Sequence, residues 1–156
     1  MRIGVISDTH GSLHSRVVEV FRGAGVERIL HGGDVGEFGV ISALSGIAMM
    51  DAVRGNIDRA GLVASLPGEI RMTVEGVDMY VTHIGGKPGV WLSRLKEPRP
   101  RVAICGHSHV PLLEEMGGVL FLNPGAGGTQ ARFGRPQSVA LLRVEAGKVE
   151  AEIVIL

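Results

Sequence analysis

The chain has 156 residues, the size of one domain and too short for two large ones. Apolar residues make up 45% and charged residues 21%, which excludes a disordered chain and allows a substantial core. Sixteen basic residues balance 16 acidic ones, so no nucleic-acid partner is expected, and the lone Cys105 excludes a disulfide framework or a thiolate-only metal cluster.

In chain order, residues 2–7 form an apolar strand that halts at Asp8-Thr9-His10-Gly11. Residues 15–21 mix β-branched and charged positions. Their place after a polar turn, with Arg16, Glu19 and Arg22 three apart, predicts a short helix. A second strand over 26–30 ends at His31-Gly32-Gly33-Asp34, a helix spans 38–47, and a third strand over 48–53 ends at Arg54-Gly55-Asn56. This repetition predicts parallel strands with crossover helices, whose ligands gather outside the carboxyl ends.

The second half changes rhythm. Residues 69–74 and 77–82 flank Glu75-Gly76 as a hairpin that ends at His83. A Gly-rich segment leads to a helix over 90–95, and a strand over 101–105 ends at Gly106-His107-Ser108-His109. Short strands over 110–113 and 118–122 are expected around a Glu114-Glu115 turn. A last hairpin joins 138–144 to 149–155 around Ala146-Gly147. The expected α/β architecture is two sheets packed face to face with helices outside. No apolar run reaches membrane-spanning length and no leader pattern opens the chain, so a cytoplasmic protein without a membrane partner is expected.

The strand ends supply Asp8, His10, Asp34, Asn56, His83, His107 and His109. Two carboxylates, an amide oxygen and four imidazoles suit borderline divalent ions such as Mn, Fe, Zn, Co or Ni. Seven ligands are too many for one ion that also holds substrate, and about right for two ions sharing a carboxylate. A structural or surface role is the ordinary reading for an isolated histidine, and it is the one given to His14 and His31. Four more histidines at strand ends make a metal centre the better account.

The segments SDTHG (residues 7–11), HGGD (31–34), GNID (55–58), the THIGG histidine His83 and GHSH (106–109), with the turn NPGA (123–126), resemble the ordered motifs of the calcineurin-like metallophosphoesterases. The small YfcE-like phosphodiesterase branch is the nearest match, and the resemblance spans essentially the whole chain, residues 1–156, as one domain. It implies a four-layer αββα sandwich with two mixed sheets. It implies two divalent ions, manganese favoured: Asp8, His10 and His109 on the first, Asn56, His83 and His107 on the second, Asp34 bridging. Asp34 and Asn56 are the expected catalytic residues, in a hydrolysis of small phosphodiesters by a metal-bridging hydroxide. Two dications against two carboxylates and one hydroxide leave the centre about one charge positive, suited to an anionic phosphoryl group.

Many relatives read GNHD or GNHE, and that histidine is assigned to protonate the leaving oxygen. Here the position is Ile57, whose side chain cannot donate a proton. Good leaving groups such as aryl oxides are therefore favoured. A phosphomonoesterase or nucleotide phosphatase with the same centre, or a protein-interaction scaffold of this fold, are the competing functions. His31 is a candidate for hydrogen-bonding near the centre. Asp58 is a candidate acceptor for a ligand imidazole, with turn capping or a surface salt bridge as its plainer role. The GGKPG segment lacks a phosphate-loop pattern and reads as a rim of the site, with Lys87 either touching substrate phosphate or solvated. Trp91 is assigned to packing before stacking, and Cys105 to a buried small hydrophobe. Assembly into homo-oligomers is left open.

Overall fold

The computed structural model describes residues 1–130 and 134–156, whose strands form two five-stranded sheets. In the first half, β1 (Arg2–Ile6), α1 (Arg16–Gly23), β2 (Arg28–His31), α2 (Phe38–Ser45) and β3 (Met49–Ala52) follow in order. Strands β1, β2 and β3 are parallel, as the strand–helix repetition requires. A short 3-10 helix at Gly61–Ser65 was not expected from the sequence. There follow β4 (Glu69–Val74), β5 (Val77–Thr82), α3 (Pro88–Arg94), β6 (Val102–Ile104), β7 (Leu112–Met116), β8 (Val119–Asn123), β9 (Ser138–Glu145) and β10 (Lys148–Ile155).

The first sheet has the order β10-β9-β1-β2-β3 and the second β4-β5-β6-β8-β7, both mixed. The C-terminal hairpin does not stand apart, because β9 pairs antiparallel with β1 and completes the first sheet. Three apolar layers hold the sandwich together. Between the sheets, Ile3 and Val5 of β1 meet Met79 and Val81 of β5 and Ile104 of β6, all essentially buried. Outside the first sheet, Ile6 and Ile29 pack on Val17 and Phe21 of α1 and Val40 and Leu44 of α2. Outside the second sheet, Trp91 and Leu95 cover Ala103, Cys105 and Phe121.

The alternation along β1 sets which side chain enters which layer. Gly4 shows why side-chain size matters: the Phe21 ring lies so close that a Cβ at Gly4 would come within 2.9 Å of it. Trp91 takes the packing role, with its ring 5.4 Å from that of Phe121 and 6.4 Å from that of Tyr80. Cys105 is buried and burial pushes its thiol up to about 11, so it stays a neutral hydrophobe.

One turn lies elsewhere than the sequence suggested. Glu114 and Glu115 sit inside β7, and the chain reverses at Gly117-Gly118, where φ is 58° and 79°. Strand β7 is an edge strand whose charged side chains face water. Two residues at positive φ are what a tight hairpin needs, and glycine adopts them without a Cβ penalty. Among the described residues, no helix is long and apolar enough to cross a membrane.

Register decides where the polar clusters come out. Ile6 of β1 is level with His31 of β2, and His31 with Ala52 of β3. Val81 of β5 is level with Ile104 of β6, and Ile104 with Leu122 of β8. The segments that follow β1, β2, β3, β5 and β6 therefore leave the sandwich at one end, and these carry the seven candidate ligands.

Candidate metal centre

Beyond the strand ends the backbone stays pinned. Asp8 N–H donates to the Gly33 carbonyl (3.0 Å), His10 N–H to that of Asp34 (3.0 Å) and Gly11 N–H to that of Val35 (2.8 Å). The loop after β6 is tied likewise, Gly106 N–H donating to the His83 carbonyl at 3.0 Å. These bonds force an unusual conformation: Asp8, His10, Asp34, His107 and His109 all have positive φ, between 48° and 69°. Left-handed backbone costs on the order of 1–3 kcal/mol at a non-glycine residue and persists only where its surroundings impose it. Aspartate and histidine tolerate it better than most. The only other described non-glycine residues there are Glu75 and Ala146, which sit in the hairpin turns.

Glycines make room for the carboxylates. A Cβ on Gly55 would land on the Asp34 carboxylate and amide, and one on Gly106 would come within 2.7 Å of Asp8 Oδ2. Substitution at either position pushes an acid off its site.

Five of the candidate side chains converge in two groups. Asp8, His10 and His109 each bring one ligand atom into a common cluster, all within 4.8 Å of one another. Asp8, Asp34 and His83 form a second such cluster. In the first, His109 Nε2 lies 3.4 Å from Asp8 Oδ1 and 3.3 Å from His10 Nε2. In the second, His83 Nε2 lies 3.3 Å from Asp34 Oδ1. Asn56 Oδ1 stands 3.0 Å from both His83 Nε2 and His107 Nδ1. Asp34 spans the two groups, its Oδ1 facing His83 and its Oδ2 lying 3.7 Å from His10 Nε2.

These separations test whether cations fit. Ligand atoms about 2.1 Å from a common centre stand about 3.0 Å apart in an octahedron and about 3.4 Å apart in a tetrahedron. Five of the six separations, 3.0–3.4 Å, fall at these values, the Asp34 Oδ2–His10 Nε2 edge being longer at 3.7 Å, and the nitrogen–oxygen donor set is that of borderline divalent ions. Two clustered acid–histidine groups with Asp8 in common, and Asp34 reaching from the second toward His10, thus fit a dinuclear divalent-metal site.

His83, Asp8 and the GHSH turn are oriented from behind. His83 Nδ1–H donates to the Gly32 carbonyl at 2.8 Å, which turns Nε2 toward Asp34 and Asn56; without cations the Asp34 hydrogen bond raises the His83 pKa against burial and keeps a proton on Nε2, the position a cation would take. Ser7 Oγ donates to Asp8 Oδ2 (2.7 Å), and the His107 backbone N–H donates to both Asp8 oxygens (3.0 and 3.2 Å). Asn123 Nδ2 holds the GHSH turn through the Gly106 carbonyl (2.7 Å) and Ser108 Oγ (3.1 Å). The sequence assigns no task to Ser7 or Asn123; their place as the first residues of the SDTHG and NPGA motifs is the available signal.

The two carboxylates are electrostatically unlike. Burial dominates at Asp8 and raises its pKa to about 7, only partly offset by the Ser7 hydrogen bond and the His83 charge. Burial also works against ionised Asp34. There the His83 hydrogen bond, the Ile57 N–H and the charges of His83 and His10 outweigh it and leave the pKa lowered. Without cations, Asp34 is the firmer anion.

Two candidates have other partners. His31 is fully buried; Gly33 N–H donates to its Nδ1 (3.2 Å), so Nε2 carries the proton toward Thr9 Oγ1 at 3.0 Å. Burial lowers its pKa to about 4, so it is a neutral core residue that braces the loop after β1. Asp58 accepts backbone N–H groups from Val35 (3.1 Å), Gly36 (2.8 Å) and Gly55 (2.8 Å) rather than an imidazole. It joins the loop carrying Asp34 to the one carrying Asn56. Ile57 presents a 41% exposed side chain, and its N–H donates to Asp34 Oδ1 at 3.1 Å.

Comparison with known proteins gives this arrangement a lineage. The family model described as the calcineurin-like phosphoesterase superfamily domain matches residues 1–147. A probable metallophosphoesterase of Methanothermobacter thermautotrophicus is 33% identical, the match covering 99% of this chain and 92% of that protein. A phosphodiesterase of Methanocaldococcus jannaschii is 31% identical over 80% of this chain and 83% of its own. Among solved structures, Vps29 of Chaetomium thermophilum shares the fold with a TM-score of 0.81 at 19% identity, covering 99% of this chain and 95% of that one. The match to the family model and the two clustered ligand groups together place this chain in the calcineurin-like phosphoesterase superfamily, as a metal-dependent phosphoesterase.

Proposed function

We propose that the chain is a phosphodiesterase of the small YfcE-like branch, hydrolysing small phosphodiesters with two divalent cations, manganese favoured. The whole chain 1–156 acts as one domain in this reading, since the β9–β10 hairpin completes the sheet whose β1 leads into the loop of Asp8 and His10. Asp8, His10 and His109 hold one cation, Asn56, His83 and His107 the other, and Asp34 both. The observation that carries the proposal is the split of Asp34, one oxygen toward His83 and the other toward His10.

Bound there, the cations supply Lewis acidity and bring the pKa of water down toward neutrality. The chain's own residues do the rest. Asp34 sets the distance between the two positions. Ser7 and the His107 N–H hold the Asp8 carboxylate in one orientation. The His83 tautomer, set by Gly32, directs Nε2 inward. Asn56 contributes a neutral oxygen and so preserves the positive charge that an anionic phosphoryl group requires. Nothing at Ile57 protonates the departing oxygen, an aid worth about 10²–10⁴-fold where present. Aryl diesters, whose leaving oxygens need no proton, are therefore the better substrates.

The test is metal-stripped protein reloaded with manganese and given bis(4-nitrophenyl) phosphate and an alkyl phosphomonoester in competition. Metal-dependent cleavage of the diester is expected to dominate. Faster cleavage of the alkyl monoester would replace this reading with the phosphomonoesterase one, and activity in the stripped protein would remove both.

A further inference from the structure

Beside His107 lies a pocket of about 390 Å³ with no assigned task. One wall is Ile84 to Pro88, from the segment after β5, and the other is the turn from Cys105 to Ser108; Leu112 and Asn123 close it. Its polar groups are already occupied. Asn123 donates to the Gly106 carbonyl and Ser108 Oγ and accepts from Gly125 N–H. Ser108 Oγ also accepts from Val110 N–H at 3.2 Å. Cys105 is buried and packs as a small apolar group. What remains to face a ligand is the exposed Ile84 side chain, the glycine backbone of the rim and apolar surface of Leu112, with exposed Lys87 at the edge.

The pocket opens onto the metal centre through one residue. His107 lines it and also places Nδ1 3.0 Å from Asn56 Oδ1. A phosphoryl group at the centre therefore has an ester arm within one side chain's width of an apolar recess. The volume falls in the lower part of the range for small-molecule sites. It suits one aromatic ring system or a compact branched hydrocarbon. The rim loop is itself held in place: Arg94 donates to the Gly85 carbonyl at 2.5 Å, and a Cβ on Gly85 would meet the Trp91 ring at 2.5 Å. The recess is thus built into the fold.

We infer that this pocket receives an aromatic or otherwise apolar ester arm of the phosphodiester and so selects diesters that carry one. The inference rests on the metallophosphoesterase reading and names its substrate class. Burial of an aromatic arm in such a recess strengthens binding about tenfold or more.

The experiment uses two non-hydrolysable probes with the same anionic head, methylphosphonate and 1-naphthylmethylphosphonate, on the full chain loaded with zinc, which is diamagnetic. Calorimetry is expected to show the naphthyl probe binding at least about tenfold more tightly. Amide resonances of Gly86, Lys87 and Leu112, none of them next to a ligand, are expected to shift with that probe alone. In Ile84→Ser, exposed and therefore tolerant, and in Leu112→Ser the naphthyl advantage is expected to fall below about threefold. Equal affinities, with shifts confined to the segments bearing the ligands, overturn the pocket and leave the metal centre intact. Failure of both probes to bind zinc-loaded protein overturns the centre and the pocket together.

Discussion

Asp8→Asn separates the stability of the fold from the function of its site. Burial raises Asp8 from an ordinary 3.8 to about 7, so without metal the folded chain resists losing this proton. The cost is absent below 3.8, where both states are protonated, and grows as pH rises through the folded value. With one pKa unit equal to about 1.4 kcal/mol, it reaches about 2 kcal/mol at pH 5 and about 4 kcal/mol at pH 8. Asparagine keeps the shape and cannot ionise. Its changed hydrogen bonds with Ser7 and the His107 N–H move the baseline equally at both pH values. Relative to the parent, stripped Asp8→Asn is thus expected to gain about 2–3 kcal/mol between pH 5 and pH 8, or about 5–10 °C in melting temperature.

The assay is thermal and urea unfolding of both proteins across that range, with chelator and then with manganese. At about a hundred times its dissociation constant the metal is expected to stabilise the parent by about 2.7 kcal/mol at pH 8, and Asp8→Asn far less. As pH falls below 7 a proton competes for Asp8, so metal binding by the parent weakens. Parallel stability–pH curves for the two stripped proteins would refute the burial cost. Equal stabilisation by manganese would remove Asp8 from the ligand set.

Three further substitutions and one control probe the geometry. Asp34→Asn removes the charge that the proposed arrangement shares between both positions and is expected to weaken both cations by at least about tenfold, read as metal stoichiometry and affinity; unchanged occupancy would count against the bridge. Gly55→Ala drives a Cβ into the Asp34 carboxylate and amide, where backbone leaves little relief, so a loss of about 1–3 kcal/mol and impaired metal binding are expected. Gly39→Ala, with nothing near its Cβ, serves as the unfolding control. Ile57→His restores a proton donor beside Asn56 and is expected to raise alkyl diester cleavage more than aryl, with a new basic limb in the pH–rate profile; a uniform change across leaving groups would show that the ring does not reach the departing oxygen.

Much of the fold was legible because its signals are local. Glu75-Gly76 and Ala146-Gly147 announce hairpins through turn chemistry, and both appear with their flanking strands. The parallel half was readable from strands that stop at polar clusters, and the family model covers the same stretch. Where two local signals competed the reading slipped: the charged pair Glu114-Glu115 looked like a turn, but an edge strand tolerates it and Gly117-Gly118 turn more easily. The short 3-10 helix after the Asn56 motif carries no periodic pattern and was missed.

The sequence by itself determined which atoms are available at strand ends: two carboxylates, an amide and four imidazoles, without a histidine at Ile57. Tertiary structure alone decided how they meet. His31 and His83 each lie among glycines, yet one is walled into the core as a neutral brace and the other turns its Nε2 on Asp34. Asp58, a plausible partner for an imidazole, instead stitches two loops together through backbone N–H groups. Five left-handed residues aim the ligands, and no pattern of residue types announces them, because bonds between loops far apart in sequence impose that backbone. Chemical identity is local to a residue, whereas the distance and direction between donor atoms depend on how the two sheets register and pack.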